Sequence, residues 1–203
     1  MSRREIREKV LQALYAQMLS GDKEDVVFAR LLQAEYQQLG RTAKRQKVED
    51  PSEDDSLFLY NLYFGTLKES GPYIEMIRPH LENWDYDRVA MVDRVLLQMA
   101  LYEFLQCAHI PTRVTLNEYL ELAKRYSTEK SNQFLNGVLD PILQELKTAN
   151  QLHKTGKGLL ETDIRKHAAK LAQVEAETPT PITPRPRTRT RTRKTNLNAN
   201  QTT

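Results

Sequence analysis

Apolar residues recur at intervals of three and four along most of this chain, and no stretch sustains the strict alternation of a strand. The pattern predicts an all-α body. Ser2 and Glu5 have the spacing of a capping box, and Ile6, Val10, Leu14 and Met18 give a first helix, ending near Leu19, one buried stripe. Gly21 and Asp22 stop that helix and cap a second, which runs to about Leu39. Residues 40–56 have no apolar face and contain Pro51, so they read as a mobile loop. A third helix is predicted from about Asp54 to Glu69, with Leu59, Leu62, Tyr63 and Leu67 inward. Gly71 and Pro72 then open a short helix to about Leu81. The most apolar element, from about Asp87 to Gln106, carries Val89, Val92, Leu96, Met99 and Leu105 and belongs at the centre.

After Pro111 the chain reads as two helices around a polar turn. Thr115 and Glu118 have capping-box spacing, and Leu116, Tyr119, Leu120, Ala123 and Tyr126 make one apolar face. Phe134, Leu135, Val138, Leu139 and Ile142 make another, beginning near Ser131. Pro141 inside that last helix removes one backbone hydrogen bond and presses on the carbonyl of Gly137, so a kink or early stop is expected.

Residues 1–146 thus form one helical domain. Residues 147–177 form a linker with Gly156 and Gly158 and one extra helix built on Leu159, Leu160, Ile164, Ala168, Leu171 and Ala172. Residues 178–203 alternate Pro or Thr with Arg, a composition that cannot bury a core, and read as a disordered basic tail.

Charge sharpens this division. The 203 residues carry a net charge of +3, but from Pro179 onward there are five Arg, one Lys and no acid. The preceding body holds 24 basic and 27 acidic residues, a net −3. It is not a generally basic nucleic-acid binder, so an RNA site on it must be a local patch. No apolar run reaches the ~20 residues of a membrane span. The N-terminal MSRREIREK has no apolar signal core, so export is not expected. The single cysteine, Cys107, reads as a small core residue. No catalytic motif is present: no HExxH and no paired cysteines, and Gly156-Lys157 lacks the glycine of a phosphate loop five residues earlier. Asp85 reads as a helix cap. No cofactor, metal or enzymatic activity is expected.

Several blocks, in order, carry a family likeness. They are Asn117-Glu118, Leu122-Ala123-Lys124, Phe134 and Asn136-Gly137-Val138-Leu139, with Arg3-Arg4, Arg7-Glu8 and Gln12-Ala13-Leu14-Tyr15 near the start. Trp84-Asp85, Arg88, Val92-Asp93-Arg94, Leu96 to Ala100, Tyr102-Glu103 and Ile110-Pro111 lie between them. Together they resemble the NusB family, small helical RNA-binding factors of bacterial transcription antitermination. The likeness covers about residues 3 to 146.

That resemblance implies a cytoplasmic factor that binds the boxA segment of nascent ribosomal RNA transcripts. It would do so with NusE, a small-subunit ribosomal protein, within a Nus-factor complex on RNA polymerase. It implies two RNA patches. The first is Arg3, Arg4 and Arg7, with Tyr15 further along the same helix, either stacking on a base or belonging to the core; Arg3 and Arg7 are four apart and share a face. Guanidinium groups suit phosphate and also stack on bases, although Glu5 and Glu8 partly compensate them, as on any solvated charged face. The second patch is Lys130, Gln133 and Phe134, where Phe134 either stacks on an unpaired base or belongs wholly to the core. Asp93 falls on the family's partner-binding surface, and a body of net −3 suits a basic ribosomal protein.

Glu5 stands where relatives often extend the arginine cluster. Gln98 replaces a common arginine, which implies a changed internal polar contact. Asn117 and Asn136 read as structural amides. Two other readings stand beside this one. The first is a homodimeric interaction scaffold, since some relatives self-associate. The second is a non-catalytic domain related to those preceding certain RNA cytosine methyltransferases, against which no βαβ pattern follows residue 146.

Overall fold

A computed structural model describes residues 1–50, 53–81 and 84–159. They form eight α-helices: α1 (Arg3–Ser20), α2 (Glu24–Leu31), α3 (Gln33–Gln46), α4 (Asp55–Lys68), α5 (Ser70–Ile77), α6 (Met91–Gln106), α7 (Thr112–Tyr126) and α8 (Ser131–Thr148). Short 3₁₀ turns occupy Arg78–His80, Tyr86–Arg88 and Gly156–Leu159. The expected all-α fold is what the chain adopts, and none of the described residues is in a strand. The extra helix and basic tail expected beyond residue 159 lie outside the described residues.

α1 begins as its sequence dictates. Ser2 accepts from the Glu5 N–H while the Glu5 carboxylate accepts from the Ser2 N–H at 2.6 Å. Those bonds, the backbone one first, hold the Glu5 carboxyl below its ordinary range. Gly21 ends the helix at φ 68°, a left-handed conformation that favours glycine, and its N–H bonds to Gln17 O. Met18, assigned to the buried stripe, is instead at the surface. Asp22 does not cap α2; Lys23 stands at that position, with no side-chain bond to the helix.

The predicted second helix is two. Leu32 breaks it with φ −121°, a departure from helical geometry that no Gly or Pro signals, while its side chain is fully buried. α3 then continues through residues 40–46, read from the sequence as loop. Gln, Arg, Ala and Lys are good helix formers. The helix is docked by Leu39 and Tyr36, and its second half needs no apolar face because it lies at the surface.

α6 is central. Leu96, Leu97, Met99, Ala100 and Leu101 are fully buried, and α1, α4, α5, α7 and α8 all pack on it. α4 approaches closely at Gly65, where an added Cβ would sit 2.1 Å from the Tyr102 ring. α8 runs past Pro141 to Thr148 without stopping, because the buried Ile142, Leu143 and Leu146 hold its last turns against the core. Cys107 is a buried core thiol, pushed up to about 12 chiefly by burial.

Residues 149–155 have no regular structure but are tied to the body. Lys154 Nζ donates to the carbonyls of Glu103 (3.1 Å) and Cys107 (2.9 Å), placing a cation at the C-terminal end of α6, where the helix dipole favours positive charge. The Thr155 N–H bonds to Ala108 O at 3.0 Å. Gly158 packs so tightly there that a Cβ would lie 2.1 Å from the same carbonyl.

Candidate nucleic-acid interface

The first turns of α1 set three arginines in three different environments. Arg3 Nε donates to Asp55 Oδ1 at 2.9 Å, and its Nη1 lies 2.7 Å from His109 Nε2. A guanidinium can only donate, so His109 accepts as a neutral imidazole. Burial first, and then the charges of Arg3 and Lys154, hold His109 below its ordinary value. Arg3 also sits 4.9 Å over the Phe58 ring. Arg4 is the most open of the three, with its side chain 60% exposed. It is bidentate on Glu118 through its Nε–Nη2 edge, at 2.8 and 2.6 Å. The bond to Arg4 is the main reason the Glu118 carboxyl lies below the usual range.

Arg7 departs from its expected place on this patch. It is 3% exposed, and its guanidinium is bidentate on Glu103, with Nε–Oε1 at 2.6 Å and Nη2–Oε2 at 2.9 Å. Glu103 also accepts from the hydroxyls of Tyr119 (2.6 Å) and Thr115 (3.2 Å). Burial pushes the Arg7 guanidinium down, but the hydrogen bonds and charge of Glu103 together outweigh it and hold it charged. Burial also lifts the Tyr119 hydroxyl well above the phenol range, so it stays a donor. In this packing Arg7 organises the core beneath the patch and does not present itself to RNA.

The same network overturns the capping box read at Thr115 and Glu118. Pro111 occupies the N-cap, α7 starts at Thr112, and Thr115 lies one turn inside with its hydroxyl turned to Glu103. Glu118 reaches across to α1 instead. Asp85, by contrast, does cap its turn, accepting from the Asp87 N–H. Gln98 makes an internal contact, donating to the Tyr86 hydroxyl at 2.7 Å. Asn117 and Asn136 are exposed, while the Asn132 amide donates to Leu120 O.

α1 and α7 run side by side in the same direction. Arg4 meets Glu118, Glu8 meets Arg125 at 2.9 Å and also Tyr126, and Gln12 reaches the Tyr126 hydroxyl at 3.5 Å. The seam therefore leads from the arginines to the turn after Tyr126, which carries Lys130. Lys130 and Gln133 are exposed there. Phe134 is partly buried and packed against the core, between the two alternatives the sequence left. Tyr15 is 38% exposed, one turn beyond Gln12. The seam thus leads from the first predicted patch towards the turn that carries the second, with Arg7 buried beneath Arg4 and Glu118.

Asp93 is also not where its expected role places it. It is 5% exposed and accepts from Ser131 Oγ at 2.8 Å, while its Oδ1 is buried without a hydrogen-bond partner. Ser131 Oγ in turn meets the hydroxyls of Ser127 and Thr128 at 2.8 Å each. Asp93 therefore ties α6 to the turn that opens α8, below the surface. Trp84 is 59% exposed just before the Tyr86–Arg88 turn.

The described residues form an all-helical body with a mixed-charge seam between α1 and α7 and a buried ion pair beneath it. No described helix is long and apolar enough to cross a membrane. Residues 4–144 match the model of the NusB family. Over 163 residues the chain is 40% identical to the transcription antitermination protein NusB of Salinibacter ruber, covering 80% of this chain and 93% of that one. It is 33% identical over 145 residues to the protein of the same name from Thermodesulfovibrio yellowstonii, covering 71% and 93%. The solved T. maritima NusB superposes with a TM-score of 0.58 at 29% identity, covering 71% of this chain and 92% of that one. A crystal structure of antitermination factors NusB and NusE in complex with dsRNA shares the fold, with a TM-score of 0.54 at 20% identity over 70% and 96% of the two chains. The chain belongs to the NusB family.

Proposed function

We propose that this chain is a transcription antitermination factor that acts by binding and not by catalysis. It takes the boxA segment of nascent ribosomal RNA transcripts together with NusE, in a cytoplasmic Nus-factor complex on RNA polymerase. The observation that supports this reading is the seam of bonds from Arg4–Glu118 through Glu8–Arg125 to Gln12–Tyr126, which leads from the first turn of α1 towards the turn that carries Lys130. Arginine forks engage phosphate, and partly open aromatics stack on unpaired bases, the usual mode for single-stranded RNA. Arg7 supports the site from below. Asp93 contributes to the NusE surface in the same indirect way, by holding the Ser127–Ser131 turn. Its family relatives carry the antitermination name, and NusE and RNA occur together with NusB in one structural neighbour.

The test is binding to a boxA strand and to a scrambled strand, with and without NusE, for the full chain and for a chain truncated after Glu177. NusE should raise boxA affinity selectively. Residues 185–194 place six cations on an acid-free segment. For a single strand, log affinity falls with log salt by about 0.7 per phosphate neutralised, so the tail steepens the slope by up to about 4. Truncation should flatten that slope and weaken both strands alike, while the boxA-to-scrambled ratio survives, because phosphate contacts position and base contacts specify. A ratio that collapses to one would put specificity in the tail and not in the helical body.

A further inference from the structure

The cations along the seam are already held by carboxylates. Arg4 is bidentate on Glu118, Arg125 is on Glu8 at 2.9 Å, and Lys124 is on Glu121 at 2.5 Å. Between α1 and α7 they line a cavity of about 300 Å³ together with Leu122. Such a cavity has the cations of a phosphate site, but each arrives with a resident anion. An RNA phosphate must displace that anion or share its cation.

The three acids are not equivalent. Glu121 is 54% exposed and belongs to the same helix as its lysine, so it can swing into water at little cost. Glu118 is 17% exposed, lies across the helix interface, and has Arg7 Nη1 3.9 Å behind it. It occupies the Nε–Nη2 edge of the Arg4 fork, an edge suited to bidentate contact with a phosphate. We infer that Glu118 is an intramolecular competitor for RNA phosphate at Arg4, and that this acid sets the affinity of the seam. The inference rests on the RNA reading above and goes beyond it by assigning a residue that opposes binding. Arg4, Lys124 and Arg125 are then the cations of one backbone-phosphate subsite.

The experiment compares boxA binding by the full-length parent with that by Glu118→Gln. Gln keeps the shape of Glu but cannot hold the guanidinium by charge. Exposed pairs of this kind are weak, so the loss of this one should tighten binding by roughly two- to five-fold. The gain should disappear in an Arg4→Ala background. Glu75→Gln makes the same charge change on α5, at an exposed acid paired with Arg78, and should give a smaller gain. Glu118→Ala serves as a second variant, with melting curves recorded for both to confirm folding. Unchanged or weaker boxA binding by folded Glu118 variants would overturn the inference. So would a gain that persists without Arg4, or one that Glu75→Gln equals. A parent that binds neither boxA nor a scrambled strand would instead remove the RNA reading, and this inference with it.

Discussion

Replacing Glu103 with Ala should destabilise the protein by about 3–5 kcal/mol, the cost of leaving one member of a buried ion pair without its partner. Glu103 is fully buried and accepts from the Arg7 guanidinium and the hydroxyls of Tyr119 and Thr115. Its loss strands a guanidinium that is 3% exposed, together with two buried hydroxyls. Domains of this size are stable by about 5–15 kcal/mol, so the variant should sit near the edge of folding. Urea or thermal melting reads the loss directly. The double variant Arg7→Met with Glu103→Leu should recover much of it, because removing both charges leaves neither unpaired. A Glu103→Ala protein that melts with the parent would mean that this network is not closed in solution.

Arg7 shows where residue type alone stops short. Its sequence neighbours Arg3 and Arg4 make it look like one third of a surface patch. Its register says otherwise: it lies four before Leu11 and seven before Leu14, both buried. A charge on a buried stripe needs a buried partner, and Glu103 holds the corresponding position on the apolar helix α6, four after Met99 and four before Cys107. The spacing marks both as inward. That they meet follows only from the packing of α1 on α6 across 96 residues of sequence.

Replacing Arg3 and Arg4 together with Ala should have the opposite profile. Binding to boxA should fall by on the order of ten-fold or more, since arginines at the centre of a site commonly account for more than 1 kcal/mol each. The dependence on salt should lose about 0.7 of slope for each phosphate contact removed. Stability should change little. Arg4 is mostly open to water, and exposed ion pairs contribute little to stability. Arg3 is more enclosed, with Asp55, His109 and the Phe58 ring around it, so most of any small loss in melting temperature should come from that side. A double variant that binds boxA as tightly as the parent would exclude the start of α1 from the RNA site.

Local chemistry was legible elsewhere wherever a signal acts over a few residues. The Ser2–Glu5 box, the Gly21 stop, the apolar centre at Leu96 to Leu101 and the start of α8 at Ser131 all stand as the sequence implies. Signals that compete over longer distances misled. Thr115 and Glu118 satisfy the capping-box spacing, but Pro111, four residues earlier, starts the helix, and partners on α6 and α1 take both side chains. Residues 40–46 lack an apolar face, yet good helix formers docked through Leu39 extend α3 over them. Asp93 looks like a surface acid by type, but it faces Ser131 from inside because α8 packs over α6. That α1 leads towards the Lys130 turn was implied by family likeness alone, since only the side-chain bonds that bridge α1 and α7 connect them.

The measurement closest to the central claim is a cross-linking map. A boxA strand carrying photoreactive uridines, bound to the chain truncated after Glu177, reports which helices the bases touch. Cross-links should fall on peptides from the start of α1 through Tyr15 and on the segment from Tyr126 to Phe134, and NusE should strengthen them without moving them. Cross-links confined to α3 or α5 would contradict the assignment and place the RNA on another face of the molecule.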